Sequence, residues 1–264
     1  MWKLLLIPVL VYLVVCGIAF FAQTSLLFPA RLALSAGPPP ASAEPLELEM
    51  PDGHRLHGLH IPPSAPEGRL LILGFGGNAW NAAAAAEYLH ELYPQADIVA
   101  FHYRGYAPSG GSPGAAALQG DALLVHDFVR ERLRPERLVA VGFSIGSGVA
   151  AYLAAHRPID GAILVTPFDS LTELAASHYP WLPVHLLLRH RMDPAMDLRG
   201  ARLPVALIAA GRDTTVPAAR TEALARAVPN LVLNRNIPEA SHNDVYERDE
   251  FREAMHAALA ATAG

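Results

Sequence analysis

The sequence predicts an α/β protein: a mostly parallel sheet of about eight strands, with helices on both faces. A membrane helix is predicted at its amino terminus. Strand-like and helix-like hydrophobic periods alternate from residue 46 to the carboxyl end. This rhythm is typical of a parallel sheet covered on both faces. A glycine-x-serine-x-glycine stretch, Gly142 to Gly146, joins one strand to one helix. An uncharged apolar run precedes all of this, from Leu4 to Ala22.

Length, charge and cysteine content narrow the class of protein. The 264 residues are 52% hydrophobic and carry a net charge of −5. These values suit one globular domain with an additional apolar segment. A weakly acidic chain has no general attraction for nucleic acid, so we expect no nucleic-acid partner. The only cysteine, Cys16, can form neither a disulfide within the chain nor a thiolate metal site.

The apolar run near the amino terminus is long enough to cross a bilayer core of about 30 Å. We expect residues 1–25 to be an uncleaved, single-pass transmembrane anchor. The alternative is a cleaved signal peptide, but the small-x-small site nearest to the run, Ala33 to Ser35, lies rather far downstream. Lys3 precedes the run and Arg31 follows it. Together with the amino terminus, this balance favours a globular domain on the non-cytoplasmic side.

Residues 26–45 are predicted to form a proline-rich tether, with residues 26–29 at the membrane interface. Gly37 and the three prolines after it cannot be helical and indicate an extended spacer. The globular domain is predicted to span residues 46–264, with a short helical cap inserted at about 168–203. Strands are predicted at 46–50, 55–61, 70–75, 97–102, 137–141, 162–166, 205–210 and 231–234. Helices are predicted at 79–92, 115–133, 149–156, 218–227 and 250–261.

Ser144 lies at the centre of the glycine-x-serine-x-glycine stretch. A serine on a sharp strand-to-helix turn is held in a strained conformation, and glycines beside it allow strand and helix to pass closely. Its hydroxyl then stands at the positive end of a helix, as a nucleophile requires. The alternative interpretation is an ordinary turn in which Ser144 caps the helix.

A nucleophilic hydroxyl needs a base, and the base needs an orienting acid. Asp213 directly follows the predicted strand 205–210, and His242 lies on the loop after strand 231–234. Both loops therefore reach the same sheet edge as Ser144, in the chain order serine, aspartate, histidine. Asp169 is the alternative acid. Asp244 is interpreted as structural.

An oxyanion hole needs two backbone N–H donors. The first expected donor is Ile145, which follows the nucleophile. The second is expected from the glycine-rich loop after strand 70–75, and we choose Asn78. Glycines in that loop let the backbone come close to a substrate.

These motifs resemble those of the α/β-hydrolases, in the serine-hydrolase branch related to prolyl oligopeptidases and serine aminopeptidases. Within it, the chain is most similar to a membrane subgroup with a single anchor. The stretches that carry the resemblance are Leu26 to Pro29, Phe75 to Asn81, Tyr103 to Tyr106, Ser109 to Pro113, Gly142 to Gly146, Gly211 to Pro217 and His242 to Asp244. One departure is Gly76, where the family usually has a histidine, so the oxyanion loop must be supported from elsewhere.

The resemblance implies an α/β-hydrolase fold and a serine hydrolase that cleaves an ester, thioester or amide through an acyl-enzyme. It assigns Ser144 as nucleophile, Asp213 as acid, His242 as base, and Asn78 with Ile145 as oxyanion donors. A small-molecule or lipid-like acyl substrate is implied, with no cofactor and no metal ion. The alternative is a weak or inactive scaffold that serves as a binding protein, because Gly76 replaces the histidine and the sequence indicates no substrate pocket.

Three further features allow two interpretations each. His54, His57 and His60 suggest a metal site, but strand alternation separates His57 from the others, and a solvated hairpin is preferred. Either an acyl-binding wall or the cap's own core is expected from Tyr179, Trp181, His185 and Leu186 to Leu188. Arg104 is expected to brace the loop after the fourth strand, with carboxylate binding as the alternative.

Overall fold

The computed structural model describes residues 2–33, 40–64 and 69–263. Within these residues eight strands form one sheet. The strands are β1 (Glu44–Glu49), β2 (Arg55–Ile61), β3 (Leu70–Phe75), β4 (Asp97–Phe101), β5 (Arg137–Phe143), β6 (Gly161–Val165), β7 (Val205–Ala210) and β8 (Leu231–Ile237). The longer helices are α1 (Trp2–Leu27), α2 (Ala82–Leu92), α3 (Ala115–Leu133), α4 (Ile145–His156), α5 (Leu171–His178), α8 (Ala218–Ala227) and α9 (Asp249–Thr262). Two single-turn helices, α6 (Val184–Leu187) and α7 (Pro194–Asp197), lie between α5 and β7.

The strand order is β1-β2-β4-β3-β5-β6-β7-β8. β1 and β2 form an antiparallel hairpin, and β2 also pairs antiparallel with β4. Every pairing from β4 to β8 is parallel. This is the α/β-hydrolase fold that the sequence predicts, with eight strands and helices on both faces. In such a sheet the carboxyl ends of the parallel strands share one edge, where ligands bind.

The core lies on the two faces of the sheet. Leu71 and Leu73 point into the layer formed with α3 and α4, whereas Ile72 between them points into the layer formed with α2 and α9. This alternation is the period of two that a strand requires. Since the central strands are buried on both sides, they are apolar throughout, as is typical of parallel strands.

Several boundaries differ from those predicted. β5 runs to Phe143 and α4 begins at Ile145, so that Ser144 alone separates them. The prediction left a gap from 142 to 148 because glycines were interpreted as turn residues, although here they form the strand end and the first helical turn. α2 begins at Ala82 because the Asn81 side chain accepts the Ala83 N–H and caps the helix. β8 continues three residues beyond the predicted end.

Most of helix α1 falls in a segment, Leu6–Leu32, that is long and apolar enough to cross a membrane. Most of its large apolar side chains are exposed; Leu10 and Ile18 are 64% and 62% exposed. Phe28, predicted at the membrane interface, is instead buried in the core of the globular domain. Residues 34–39 of the predicted tether lie outside the described residues. β1 begins at Glu44, within the predicted tether.

Candidate active site

Ser144 adopts the strained backbone that its motif predicts, with φ of 51° and ψ of −117°. This conformation is rare for a residue with a side chain, and strained residues of this kind cluster at functional sites. A Cβ atom at Gly142 would meet the carbonyl of Gly146, and one at Gly146 would meet the carbonyl of Phe75. The Ser144 side chain makes no capping bond to α4. The elbow therefore depends on glycine at both positions, and Ser144 is not used as a helix cap.

The structure brings the side chains of Ser144, His242 and Asp213 together. The His242 Nε2 atom lies 3.0 Å from the Ser144 Oγ atom, and His242 Nδ1 lies 2.7 Å from an Asp213 carboxylate oxygen. With the imidazole proton on Nδ1, Nε2 is free to accept the serine proton. The other oxygen of Asp213 accepts the backbone N–H groups of Thr215 and Val216, at 2.8 and 2.7 Å. These bonds fix the carboxylate, whose side chain is only 3% exposed.

The two other acidic residues near this edge have different partners. Asp169, the alternative acid, lies 3.3 Å from a guanidinium nitrogen of Arg220, and burial raises the pKa of its carboxyl group. Asp244 accepts the Ser241 N–H at 2.8 Å and pairs with Arg248. Asp244 thus folds the loop that carries the histidine, in line with the structural role expected of it.

The loop after β3 lies against the nucleophile. A Cβ atom added to Gly77 would stand 3.8 Å from the Ser144 Cβ atom, so this part of the loop adjoins the elbow. Ile145 is the first residue of α4, where a backbone N–H has no partner within its helix. Asn78 is exposed at the same edge. The two expected oxyanion donors therefore belong to the loop after β3 and to the first turn of α4, on either side of Ser144.

Two tyrosine hydroxyls support this loop in place of the missing histidine. Tyr103 donates to the carbonyl of Gly76 at 2.8 Å, and Tyr106 donates to the carbonyl of Asn78 at 2.7 Å. Burial raises the pKa of both phenols, which keeps them protonated as donors. Sequence reasoning missed this role, although both tyrosines stand in a motif that it singled out. The support that the loop requires comes from the loop after β4.

Arg104 has the bracing role that the sequence predicts. Its guanidinium binds both oxygens of Asp121 on α3, at 3.0 and 2.6 Å, and also contacts Asp52. This ties the loop after β4 to α3 and to the β1–β2 hairpin. Since carboxylates of the protein already bind the N–H groups of this guanidinium, it is not available to bind a substrate carboxylate.

An aromatic cluster that the sequence did not predict lies under the site. The Trp80 ring lies 5.0 Å from that of Phe143 and 4.9 Å from that of Tyr246, measured between centroids. The Tyr88 hydroxyl donates to the Tyr246 carbonyl at 2.8 Å. Burial raises the pKa of Tyr246 to about 12. Each of these three rings is near one part of the site. Trp80 follows the oxyanion loop, Phe143 precedes the nucleophile, and Tyr246 follows the histidine.

The histidines of the hairpin do not come together. His60 is buried and lies 2.6 Å from a carboxylate oxygen of Asp97, so the prediction that it is solvated is wrong. Asp97 lies on β4, 37 residues away in the chain, so no local pattern predicts that His60 is buried. Burial alone lowers the pKa of His60, but Asp97 and Glu44 outweigh it and raise the pKa. In the described ranges, no group of three or more histidine, cysteine or acidic side chains could hold a metal ion.

Known proteins resemble this chain, some of them over most of its length. A family model described as alpha/beta hydrolase fold matches residues 70–192. The uncharacterized protein Rv2307c of Mycobacterium tuberculosis is 32% identical over 248 residues, which cover 89% of this chain and 86% of that protein. Lysophosphatidylserine lipase ABHD12 of Danio rerio is 33% identical over 138 residues, covering 46% and 36% of the two chains. The Pyrococcus furiosus esterase Pf2001 shares the fold, with a TM-score of 0.68 at 17% identity over 89% of this chain and 96% of that one.

The chain belongs to the α/β-hydrolase superfamily. Within it, esterase- and lipase-named relatives support a hydrolase.

Proposed function

We propose that the protein is a membrane-anchored serine hydrolase that cleaves a carboxylic ester, thioester or amide through an acyl-enzyme. The observation that carries the proposal is the chain of hydrogen bonds from Ser144 through His242 to Asp213, at a strained elbow. Strain of this kind persists only where the surrounding fold maintains it, and it is found at functional sites. A structural serine has no need of it.

The reaction follows from the distances. His242 Nε2 removes the Ser144 proton while Oγ attacks the substrate carbonyl, and the imidazolium then protonates the leaving group. A water molecule, deprotonated by His242, then attacks the acyl-enzyme, and the carboxylic acid leaves as Ser144 regains its proton. Asp213 holds the imidazole through Nδ1 and stabilises its charged form. No step in this route needs a cofactor or a metal ion.

The backbone N–H groups of Asn78 and Ile145 are the proposed oxyanion donors. Each such donor is typically responsible for a factor of ~10²–10³ in rate. The loop that carries Asn78 is held by Tyr103 and Tyr106. These bonds weaken the case for an inactive binding scaffold, because one of its two grounds is the absent histidine at position 76.

An ester with an acyl chain is the substrate class that we favour. The named relative ABHD12 is a lysophosphatidylserine lipase, and α1 would hold this site beside a lipid phase. We further propose that residues 1–25 form the anchor and that residues 46–264, with their cap, stand on its non-cytoplasmic side. Lys3 before the anchor supports this orientation. Protease protection of the domain in intact cells tests it.

A fluorophosphonate probe tests the catalytic assignment on the full chain in detergent. The wild type should be labelled, and Ser144→Ala should not. Ser177→Ala, which changes an exposed serine of the cap, is the matched control and should be labelled like the wild type. His242→Gln should abolish sustained turnover of p-nitrophenyl butyrate. Equal labelling of the Ser144→Ala protein, or turnover that survives His242→Gln, would refute the assignment.

A further inference from the structure

A large apolar groove lies between the anchor helix and the cap. Its volume is about 470 Å³, within the range of small-molecule sites. One wall is α1, from Val15 to Leu27, and the other is formed by the cap, from Ala175 to Leu188. Gln23 is the only polar residue of α1 among those that line it. A groove of this composition has room for a chain of methylene groups and little for a polar ligand.

The cap side of the groove is partly buried and partly exposed. Val184 and Leu188 belong to the domain core, whereas Tyr179 and Trp181 are 51% and 56% exposed. Large apolar side chains exposed together mark an interaction surface. Tyr179 and Trp181 therefore fit the acyl-wall interpretation, whereas Leu188 belongs to the core.

The two walls are fixed to each other. The Gln23 side chain donates to the Leu187 carbonyl at 3.1 Å and accepts the Arg189 N–H at 2.7 Å. The Thr24 hydroxyl lies 2.8 Å from a ring nitrogen of His190. Nearer the amino end, the Tyr12 hydroxyl donates to the Trp181 carbonyl at 2.9 Å. The cap thus follows α1 from residue 23 to residue 12, a distance of about 16 Å along the helix.

The positions of charge and aromatic rings match a lipid bilayer. Trp181 stands at the level of Tyr12, well inside the segment that is long enough to cross a membrane. This end of the cap would therefore lie at the depth of the acyl chains and not at the membrane surface. At the other end, the Arg189 guanidinium lies 4.7 Å from the Phe20 ring centroid, and Arg191 is exposed nearby. These two cations suit the phosphate of a lipid headgroup.

The groove also adjoins the loop that carries Asp213, through the cap. The His178 ring, at the end of α5, lies 2.8 Å from the carbonyl of Thr215, two residues after Asp213. Tyr179, the next residue, already lines the groove. Helix α5 itself starts just after β6, at the sheet edge where Ser144 stands. The acid loop and the groove are therefore neighbours through one residue of the cap.

We propose that this groove receives the acyl chain of a lipid from the surrounding bilayer, and that the anchor helix forms one wall of the substrate site. The acyl chain lies in the groove between α1 and the cap, while the headgroup stays near Arg189 and Arg191. The inference rests on the proposed hydrolase function for its connection with Ser144, but binding of the lipid does not require catalysis.

Two substitutions, one on each wall, test the groove in protein reconstituted into phosphatidylcholine vesicles. Ala19→Trp and Ala175→Trp fill it from α1 and from α5. Val14→Trp is the matched control, since Val14 is exposed on α1 and does not line the groove. We expect the ratio of p-nitrophenyl palmitate to p-nitrophenyl acetate turnover to fall about tenfold in both groove variants, the effect of losing roughly two methylene contacts. The control should keep the wild-type ratio.

Photolabelling separates this inference from the proposed function. A lysophospholipid with a diazirine on a palmitoyl chain, in vesicles with the Ser144→Ala protein, should label peptides from both walls of the groove. Labelling elsewhere on α1, an unchanged ratio in both groove variants, or an equal fall in Val14→Trp would overturn the groove. Cross-links between two copies of α1 at this face would overturn it as well, because the occupant would then be a second protomer. If fluorophosphonate fails to label the wild type while the lipid labels both walls, the hydrolase proposal fails and the groove stands.

Discussion

Removal of one hydroxyl group, in Tyr103→Phe, tests whether tyrosines position the oxyanion loop. The Tyr103 hydroxyl donates to the carbonyl of Gly76, at the start of the loop that carries Asn78. Without it this carbonyl loses its partner at a buried residue. The ring remains, so the packing of the phenyl group is kept and the hydrogen bond alone is lost.

The size of the effect follows from the two bonds that hold the loop. Loss of a whole oxyanion donor costs about 2.7–4 kcal/mol at the transition state. Tyr103 is one of two hydroxyl supports, so its loss should cost roughly half of that, about 1.4–2 kcal/mol, or a ~10–30-fold fall in kcat. The free energy of unfolding should fall by about 1–3 kcal/mol, because an acceptor is left unsatisfied. Substitution of Tyr106 as well should bring the loss of kcat near ~10²-fold.

The assay is steady-state turnover of p-nitrophenyl butyrate, with kcat and KM measured separately. A positioning role lowers kcat and leaves KM nearly unchanged, since the ground-state ester does not depend on the oxyanion donors. Tyr93→Phe is the matched control, because the Tyr93 hydroxyl donates to the Met255 carbonyl at 2.7 Å, in the layer with α9. It should lose similar stability and keep its kcat. Equal kcat values for Tyr103→Phe and Tyr93→Phe would refute the reasoning.

Two further substitutions test the elbow and a buried ion pair. Gly146→Ala places a Cβ atom against the Phe75 carbonyl and should destabilise the protein by about 3 kcal/mol or more in a denaturant titration, whereas Gly120→Ala, with open space around it, should be neutral or stabilising by about 1 kcal/mol. The raised pKa of His60, paired with Asp97, gives stability that is complete below about pH 6.5 and is lost as pH rises through the folded pKa. His60→Gln should remove that loss between pH 6 and pH 9, and a wild-type profile retained in the variant would contradict the assignment.

Local rules were enough to predict the fold and the elbow. Alternation of apolar residues indicates strands whatever their partners, and the central strands are apolar because both faces are covered. Ser144 was identifiable because Gly142 and Gly146 are required by close backbone contacts within a few residues of it. The positions of Asp213 and His242 followed from topology, since each comes after a parallel strand and such strands end at one edge.

Contacts between distant segments could not be predicted in the same way. The partners of Tyr103 and His60 lie 27 and 37 residues away in the chain, and no local pattern specifies which carbonyl or carboxylate they reach. Phe28 was assigned to the membrane interface because its neighbours are apolar, yet the ring is buried in the domain core. The groove depends on Tyr12 meeting Trp181 across 169 residues. Features of this kind become visible only after the chain has folded.

The aromatic cluster explains how three separate loops keep one geometry. Each ring is close in sequence to one residue of the site. Trp80 is two residues from Asn78, Phe143 is next to Ser144, and Tyr246 is four residues from His242. Their rings meet at centroid distances of 4.9–5.9 Å on the buried side of the sheet edge. Aromatic pairs at these distances add about 0.5–1.5 kcal/mol each beyond their buried area. Since a movement of any one loop disturbs the packing of the other two, the proposed donor, nucleophile and base are positioned by a shared core and not by three independent turns.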